Sequence, residues 1–389
     1  MRLLFVTDGR SPISRNWIRY FVERGDEVFL ASTFACDLDF AAHGMEFIPV
    51  AFSGTRKPGT HWGFSPRRRH GWIVSQQVEL RTRLRQWFGP LTIPLAARKL
   101  RAYLKKVEPD LVHAMRIPYE GMLASAASDG FRLIVSVWGN DFTLHASSTP
   151  LMKVYTRRVL RTADALHTDC ERDLNLARRW GFPQDQPAIL APGNGGIRRE
   201  SFHPPIKPVD EPVVIQPRGI RAYVRNESFF QAIPLVLARK PEARFLCASM
   251  AEQPAAVKWV KELHIERAVD LHPALPHAAI GNWFRKAQIS VSPAVHDGTP
   301  NSLLEGMACG CFPIAGDIES IREWIVHGQN GLLVDPNDPQ SLAEAMLLAM
   351  ERSDLRRDAA GLNANLIATR AEYRQTMARV SDFYQDVVK

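Results

Sequence analysis

The feature that most restricts what this chain can fold into is a series of short apolar runs that do not alternate with polar residues. They lie at 3–6, 28–31, 111–112, 133–137, 213–215, 244–247, 289–291, 312–315 and 332–334. A strand that is apolar on both faces belongs to a parallel sheet covered by helices on each side. Amphipathic stretches, such as 15–23, 94–107 and 228–240, separate the runs. Strand–helix alternation over the whole length predicts a doubly wound α/β architecture. With 389 residues the chain is too long for one ordinary core. The pattern also restarts after the Pro-rich stretch 202–208. The expectation is two domains, 1–200 and 205–370, with a last helix at about 371–389 that packs on either.

Ligands of doubly wound folds bind at the carboxyl ends of the strands, so the informative residues are those that follow each apolar run. The richest such stretch is 291–310, Val-Ser-Pro-Ala-Val-His-Asp-Gly-Thr-Pro-Asn-Ser-Leu-Leu-Glu-Gly-Met-Ala-Cys-Gly. Thr299 reads as an N-cap, Pro300 as the first helical residue and Gly310 as the stop. The N–H groups of Asn301, Ser302 and Leu303 then point at the binding edge and favour a phosphate, beside Gly298 and Thr299. Asp297 before the helix and Glu305 within it are placed to accept from ligand hydroxyls. Read alone, they are an ordinary loop acid and a solvated helix residue.

With its flanks, the stretch resembles the Glu-x7-Glu signature of family 4 (group 1) retaining glycosyltransferases. Phe312-Pro313-Ile314-Ala315, Ile321-Arg322-Glu323 and Gly328-Gln329-Asn330-Gly331 continue that pattern. So do Asp8-Gly9-Arg10-Ser11-Pro12, Pro109-Asp110-Leu111-Val112-His113, Val137-Trp138-Gly139-Asn140-Asp141 and Pro192-Gly193-Asn194-Gly195-Gly196. The similarity covers nearly the whole chain except about 51–100. It implies a GT-B fold, two Rossmann-like domains facing across a cleft, with a nucleotide-sugar (a UDP-sugar is favoured) on the C-terminal one. It also implies transfer with retention to a glycan, lipid-linked or small-molecule acceptor. Asp297 stands where the family has Glu, one methylene shorter. The resemblance puts Asp297 on the donor sugar, Glu305 on the ribose, and Arg218 and Arg225 on the diphosphate, with Arg221 competing for the second place. A departing diphosphate builds negative charge that fixed cations and a helix N-terminus must hold if no metal does. No metal or other cofactor is expected. Asp37-Leu38-Asp39 is a formal Asp-x-Asp, but it lies in a polar loop away from any nucleotide pattern. A nucleotide-sugar epimerase and a non-catalytic partner subunit with a degenerate site are the rival readings.

The resemblance places the acceptor on the N-terminal domain, with Gly9, Arg10, Ser11, Trp138, Gly139 and Asp141 as candidates. His113 also lies at a strand end, where a lone His is as often a core residue. Residues 1–200 carry 29 Lys/Arg against 19 Asp/Glu, a balance of +10, while the remainder is at −2. Within 51–106, 13 basic residues face one acid, Glu79. Read as a helix, 73–88 places Ile73, Leu80, Leu84, Trp87 and Phe88 on one stripe flanked by Arg81, Arg83 and Arg85. Trp62, Arg67, Arg68, Arg69 and Trp72 add to it. This suits packing on the N-terminal sheet, an anionic membrane surface reached through 56–106, or an anionic acceptor. No motif supports nucleic-acid binding. The N-terminal apolar run is too short for a signal peptide and no run is long enough for a membrane span. Five scattered cysteines read as reduced thiols, so the expected location is the cytoplasm, peripheral at the inner face of the membrane if the basic segment binds lipid.

Overall fold

The structure, a computed structural model, describes residues 1–53, 83–128, 130–207 and 209–389. It divides into two compact units, Met1–Gly195 with Gln375–Lys389, and Gly196–Arg374. The division falls at Gly195, so the Pro-rich stretch lies inside the second unit.

The first unit is built on β1 (Arg2–Thr7), β2 (Glu27–Ser32), β3 (Gly44–Phe47), β4 (Leu111–Ala114), β5 (Arg132–Val137), β6 (Ala165–Thr168) and β7 (Ala188–Leu190). Their order in the sheet is β3-β2-β1-β4-β5-β6-β7, and every pairing is parallel. Residues of β1, β4, β5 and β6 are buried almost throughout, as two-sided apolar runs require. The short strands β3, β6 and β7 are not visible as apolar runs in the sequence. The helices Ile93–Val107, Met122–Ala127 and Pro150–Thr162 bury Leu100, Leu104, Leu123, Val159 and Leu160 against this sheet.

The second unit carries β8 (Val213–Gln216), β9 (Arg244–Cys247), β10 (Val269–Leu271), β11 (Ile289–Ser292), β12 (Phe312–Gly316) and β13 (Leu332–Val334), in the order β10-β9-β8-β11-β12-β13. These pairings are also parallel. One core contains Phe229, Phe245, Val291 and Met346, and a second contains Ile215, Phe284, Leu304 and Trp324. In each sheet the chain starts in the middle, builds outward one way, and returns to build the other way. The reversal lies between β1 and β4 in the first unit and between β8 and β11 in the second. Such topological switch points open a crevice at the strand ends, where ligands of this architecture sit.

A polar chain crosses the core of the first unit. Trp17 Nε1 donates to Tyr384 Oη (2.9 Å), which meets His113 Nδ1; His113 Nε2 contacts Ser136 Oγ (2.8 Å) and Ser136 Oγ contacts His167 Nδ1 (2.8 Å). His167 Nε2 ends the chain on the Ala191 carbonyl (2.8 Å). The carbonyl accepts only, so each link has one direction: Trp17 N–H to Tyr384, Tyr384 to His113, His113 to Ser136, Ser136 to His167. Both imidazoles are then neutral, and burial does push both pKa values down, that of His167 to about 4. His113 is therefore a core residue that binds the C-terminal segment to the first sheet. Tyr384→Phe leaves the Trp17 N–H and the His113 Nδ1 buried and unpaired. A loss of about 1–3 kcal/mol is expected, measured as a lower midpoint in urea unfolding. An unchanged midpoint would show that the chain is not structural.

Candidate functional site

At the second unit's switch point, the loops after β8 and β11 are zipped together. Val224 bridges Ala294, Arg225 N–H donates to Pro293 O (2.8 Å), and Val295 N–H donates to Tyr223 O (2.9 Å). Two glycines let other backbone come close. A Cβ on Gly316 would fall 2.1 Å from Ala294 O, and Gly219 has φ +64° with Ser249 against it. Buried Gln216 accepts the Arg218 N–H on Oε1 (2.9 Å) and donates from Nε2 to Asn226 Oδ1 (2.6 Å), which fixes where Arg218 leaves the strand.

Arg218 and Asp297 are brought together, each with only 14% of its side chain exposed. Nη1 is paired with Oδ2, and Nη2 lies 3.3 Å from the Tyr223 hydroxyl. Burial is the largest single influence and opposes the guanidinium charge, but Asp297 and Tyr223 together outweigh it and hold the Arg218 pKa above its usual value. The Asp297 carbonyl accepts from Ser320 Oγ (2.8 Å). Arg225 stands at the start of the helix Asn226–Leu237. There it donates to Asn337 Oδ1 (2.8 Å) and Ala222 O (3.1 Å), on the exposed side of the loop.

The helix after β11 is Asn301–Ala308, capped at Pro300 with no side-chain cap bond. Two sequence expectations are corrected here. Thr299 does not cap the helix, because its Oγ1 accepts from Trp324 Nε1 (2.9 Å). The Leu303 N–H is not free for a ligand, because it closes a turn onto Pro300 O (3.0 Å). Among the described residues the N–H groups of Asn301 and Ser302 have no partner. Three side-chain oxygens of this region, Ser292 Oγ, Asn301 Oδ1 and Ser302 Oγ, are also buried with no hydrogen-bond partner. Native proteins rarely leave such groups orphaned unless water or a ligand fills the site. Glu305 follows one turn on, 4% exposed, and accepts from His277 Nε2 (2.7 Å). His277 opens the helix His277–Phe284 and packs its ring 5.2 Å from that of Phe202. Sequence reasoning missed His277, which lies 28 residues from its partner and in no motif.

At the first unit's switch point the side chains are already engaged with one another. Arg10 chelates Asp8 (2.9 Å to each oxygen) and lies 3.6 Å from the centre of the Phe34 ring. Gly9 N–H donates to Ser32 Oγ (3.1 Å) and Gly9 O accepts from Arg15 Nε (2.7 Å). Ser11 caps the helix Pro12–Arg24. Asp141, fully buried, takes Arg116 Nε (2.7 Å) on one oxygen and the N–H groups of Ile117 (3.2 Å) and Trp138 (3.1 Å) on the other. It orders the loops after β4 and β5, so the expectation that it orients an acceptor hydroxyl is corrected. Gly139 O accepts from Arg172 (3.2 Å), whereas Trp138 Nε1 is buried with no partner. Arg172 also pairs with Asp173 (2.6 Å) beside Asp169 and Cys170, so this acidic cluster already holds a cation. Asp39 pairs with Arg15 (3.6 Å) and Arg19 (2.6 Å), which accounts for the Asp-x-Asp triplet.

Sequence reasoning named Arg85 only as one flank of a basic stripe, and missed Arg116, Tyr119 and Glu120. The guanidinium of Arg85 lies 4.8 Å from the Tyr119 ring centre and 5.8 Å from that of Phe34, and its Nε is buried without a partner. Arg116 lies 5.6 Å from the Trp138 ring centre. Tyr119 holds φ +67°, ψ −55°, a strained γ-turn geometry of the kind stored at functional sites. Glu120 is buried and accepts from Thr33 Oγ1 (2.9 Å). Burial pushes its pKa up to about 7, against the opposing pull of Arg116. Of the sequence candidates at 51–106, residues 54–82 lie outside the described residues, including Trp62, Arg67, Arg68, Arg69, Trp72, Ile73, Leu80 and Arg81.

Two pH dependences follow. Glu120 binds its proton more tightly folded than unfolded, so stability falls as pH rises from about 4.5 to about 7, by about 3 kcal/mol in all. Glu120→Gln should remove that slope in unfolding curves recorded across the range. A slope that persists would place the titration elsewhere. The hydrogen bond to Glu305 raises the His277 pKa above 6.5, against burial. This adds stability that is complete below the unfolded value and lost as pH rises through the folded one. NMR titration should show the His277 ring titrating above 6.5 in the native protein and falling in Glu305→Gln. No difference between the two would disprove the pairing.

A family model described as glycosyl transferases group 1 matches residues 220–352, and one described as a glycosyl transferase 4-like domain matches residues 9–193. The D-inositol 3-phosphate glycosyltransferase of Thermobispora bispora is 25% identical over 235 residues, which cover 55% of this chain and 54% of that protein. Its counterpart in Xylanimonas cellulosilytica is 23% identical over 253 residues, 60% of this chain and 59% of that protein. The chain thus spans a little over half the length of these curated relatives. Among solved structures, sucrose-phosphate synthase from Thermosynechococcus elongatus superposes with a TM-score of 0.74 at 16% identity, covering 100% of this chain and 99% of that one. Anabaena HepE in complex with UDP does so at 0.72 and 14% identity, covering 99% and 100%. No helix among the described residues is long and apolar enough to cross a membrane. With both halves matched by models of one group and both Rossmann-like sheets in place, the chain belongs to the group 1 (family 4) glycosyltransferases and has their GT-B fold.

Proposed function

We propose that this chain is a retaining, metal-independent glycosyltransferase that moves a sugar from a UDP-sugar to an acceptor carrying an anionic group. The observation that carries the donor half is the set at the β8–β11 switch point: a buried Arg218–Asp297 pair beside the open N–H groups of Asn301 and Ser302 and three orphaned oxygens. A diphosphate supplies what this set lacks. Its oxygens accept from the two N–H groups and from Arg218, and a helix N-terminus favours its charge. Glu305, one turn below, suits the ribose hydroxyls, with His277 holding the carboxylate. Arg225 reaches the diphosphate only by leaving Asn337. Uridine is favoured because Anabaena HepE is solved with UDP and with UDP-glucose, and the pneumococcal O-GlcNAc transferase GtfA with UDP and GlcNAc.

The acceptor half rests on the β1–β4 switch point. Arg10, Arg85 and Arg116 each lie against an aromatic ring there, and Arg85 has no carboxylate partner among the described residues. Guanidinium groups held against aromatic rings keep their N–H groups available for phosphate or carboxylate. The curated relatives are named for a phosphorylated acceptor. In the reaction the bond from the anomeric carbon to the diphosphate breaks as the acceptor oxygen attacks the same face. The acceptor proton passes to the leaving phosphate oxygen, and Arg218 with the helix N-terminus holds the growing charge.

The test is thermal unfolding with UDP, GDP and ADP and their sugar conjugates, in EDTA and in Mg2+, followed by NMR of the product anomer. A ligand at 100 times its Kd adds about 2.7 kcal/mol, a plain shift in Tm. The expected result is a shift with uridine nucleotides that survives EDTA and is lost in Arg218→Ala. The same variant should lose kcat by about 10²–10³-fold. An inverted product refutes the retaining mechanism, and release of an epimerised free sugar points to an epimerase. No shift with any nucleotide points to a non-catalytic partner subunit.

A further inference from the structure

Fifteen large apolar side chains are exposed among the described residues, and five of them fall within twelve positions: Leu84, Trp87, Phe88, Leu91 and Leu95, at 45–67% exposure. Their spacing follows the helical period through the helical residues 83–88, the tight turn Gly89–Thr92 and the start of the helix Ile93–Val107. Core packing does not explain them. That helix buries the opposite face, Ile93, Ala96, Ala97, Leu100 and Leu104, against the sheet. Its outward face continues from Leu95 into Arg98, Lys99, Ala102, Lys105 and Lys106, all exposed. From 80 to 107 the chain holds eight cations and no acid. Among the described residues Arg83, Arg98, Lys99, Lys105 and Lys106 have no carboxylate partner.

We infer that this surface seats the first unit on an anionic phospholipid bilayer, with Trp87 and Phe88 as interfacial anchors and Arg98, Lys99, Lys105 and Lys106 over the headgroups. A partner protein of ordinary composition would meet the apolar stripe but leave this run of cations uncompensated. A bilayer surface accommodates both, because it presents acyl boundary and negative charge side by side. Amphipathic helices with Trp, Phe and Leu on one side and Lys and Arg on the other bind in this way. Each basic residue near an anionic leaflet adds about 1 kcal/mol, which is roughly a fivefold change in partitioning. The inference sharpens the sequence expectation for 56–106 and does not depend on the sugar chemistry proposed above.

The experiment is flotation of the full chain with vesicles of phosphatidylcholine alone and of phosphatidylcholine with phosphatidylglycerol, at low and high salt. Binding is expected to the anionic vesicles only and to weaken with salt. Trp87→Ala with Phe88→Ala should weaken it at least tenfold, and Arg98→Gln with Lys99→Gln by roughly 25-fold. The Tm of the chain without vesicles should be unchanged in both variants, which separates loss of lipid binding from loss of folding. Three results would overturn the inference. One is no flotation with anionic vesicles. Another is binding that the Trp87 and Phe88 changes leave intact. The third is a solution dimer that those changes dissociate, which would make the stripe an interface between copies.

Discussion

The second unit is organised around one ion pair. Arg218 and Asp297 come from loops 79 residues apart, and both are mostly buried. Stranding either charge would cost several kcal/mol, so the pair holds only while the two loops stay together. Everything else at that edge serves this. Gln216 fixes the exit of Arg218 from β8, the Val224–Ala294 bridge zips the loops, and Gly316 admits the Ala294 carbonyl at a distance no side chain allows. Under the proposed function a diphosphate would bring negative charge to the same guanidinium, so it would take up a cation that is already in place. The shorter acid matters here. The Asp297 carboxylate ends at Arg218, and in the proposed site its reach toward sugar hydroxyls would depend on the diphosphate taking over the cation.

The first unit meets the same electrostatic problem differently. In its core it avoids charge, running one polarised chain through two neutral histidines from Trp17 to Ala191. At its switch point it keeps three arginines, offsets two of them with Asp8 and Asp141, and raises the pKa of buried Glu120 to about 7, so that this carboxyl is only partly ionised near neutral pH. Arg85 is left stacked on rings without a carboxylate. Net positive charge at a strand-end edge, together with a strained tyrosine, is a poor arrangement for stability alone. It suits a site that awaits an anion.

The architecture was legible in the sequence because a parallel sheet demands strands apolar on both faces, and few other structures do. The segment 289–308 was legible for a related reason. A strand, an acidic loop and a short helix are local events with local signatures, although the cap falls on Pro300 and not on Thr299. The strands β3, β6, β7 and β10 were not legible. At three or four residues each, with Thr168 or Asp270 within them, they owe their form to the neighbour they pair with. His277, Tyr119 and Glu120 escaped for a further reason. Each acts through partners far away in the sequence, and no local pattern distinguishes a buried, paired side chain from a solvated one.

The misread positions follow the same rule. Thr299 is a good cap by type, yet Trp324 takes its hydroxyl, and the Leu303 N–H turns back onto Pro300. Asp141 is an acid after a strand, as an acceptor-orienting group would be, yet Arg116 and two backbone N–H groups saturate it. In each case composition named the right loop, and competition among partners decided which groups a ligand can still reach. What remains without a partner is therefore more informative than what is present. At β8–β11 the remainder is Ser292 Oγ, Asn301 Oδ1, Ser302 Oγ and two backbone N–H groups, which seek both acceptors and donors. At β1–β4 and in the loop after β5 the remainder is Arg85 Nε and Trp138 Nε1, which donate, and Asn140 Oδ1, which accepts. A nucleotide, with phosphate oxygens and ribose hydroxyls, would meet the first set under the proposed function. An anionic group that also carries a hydroxyl would meet the second, its oxygens taking the donors and its O–H the amide oxygen.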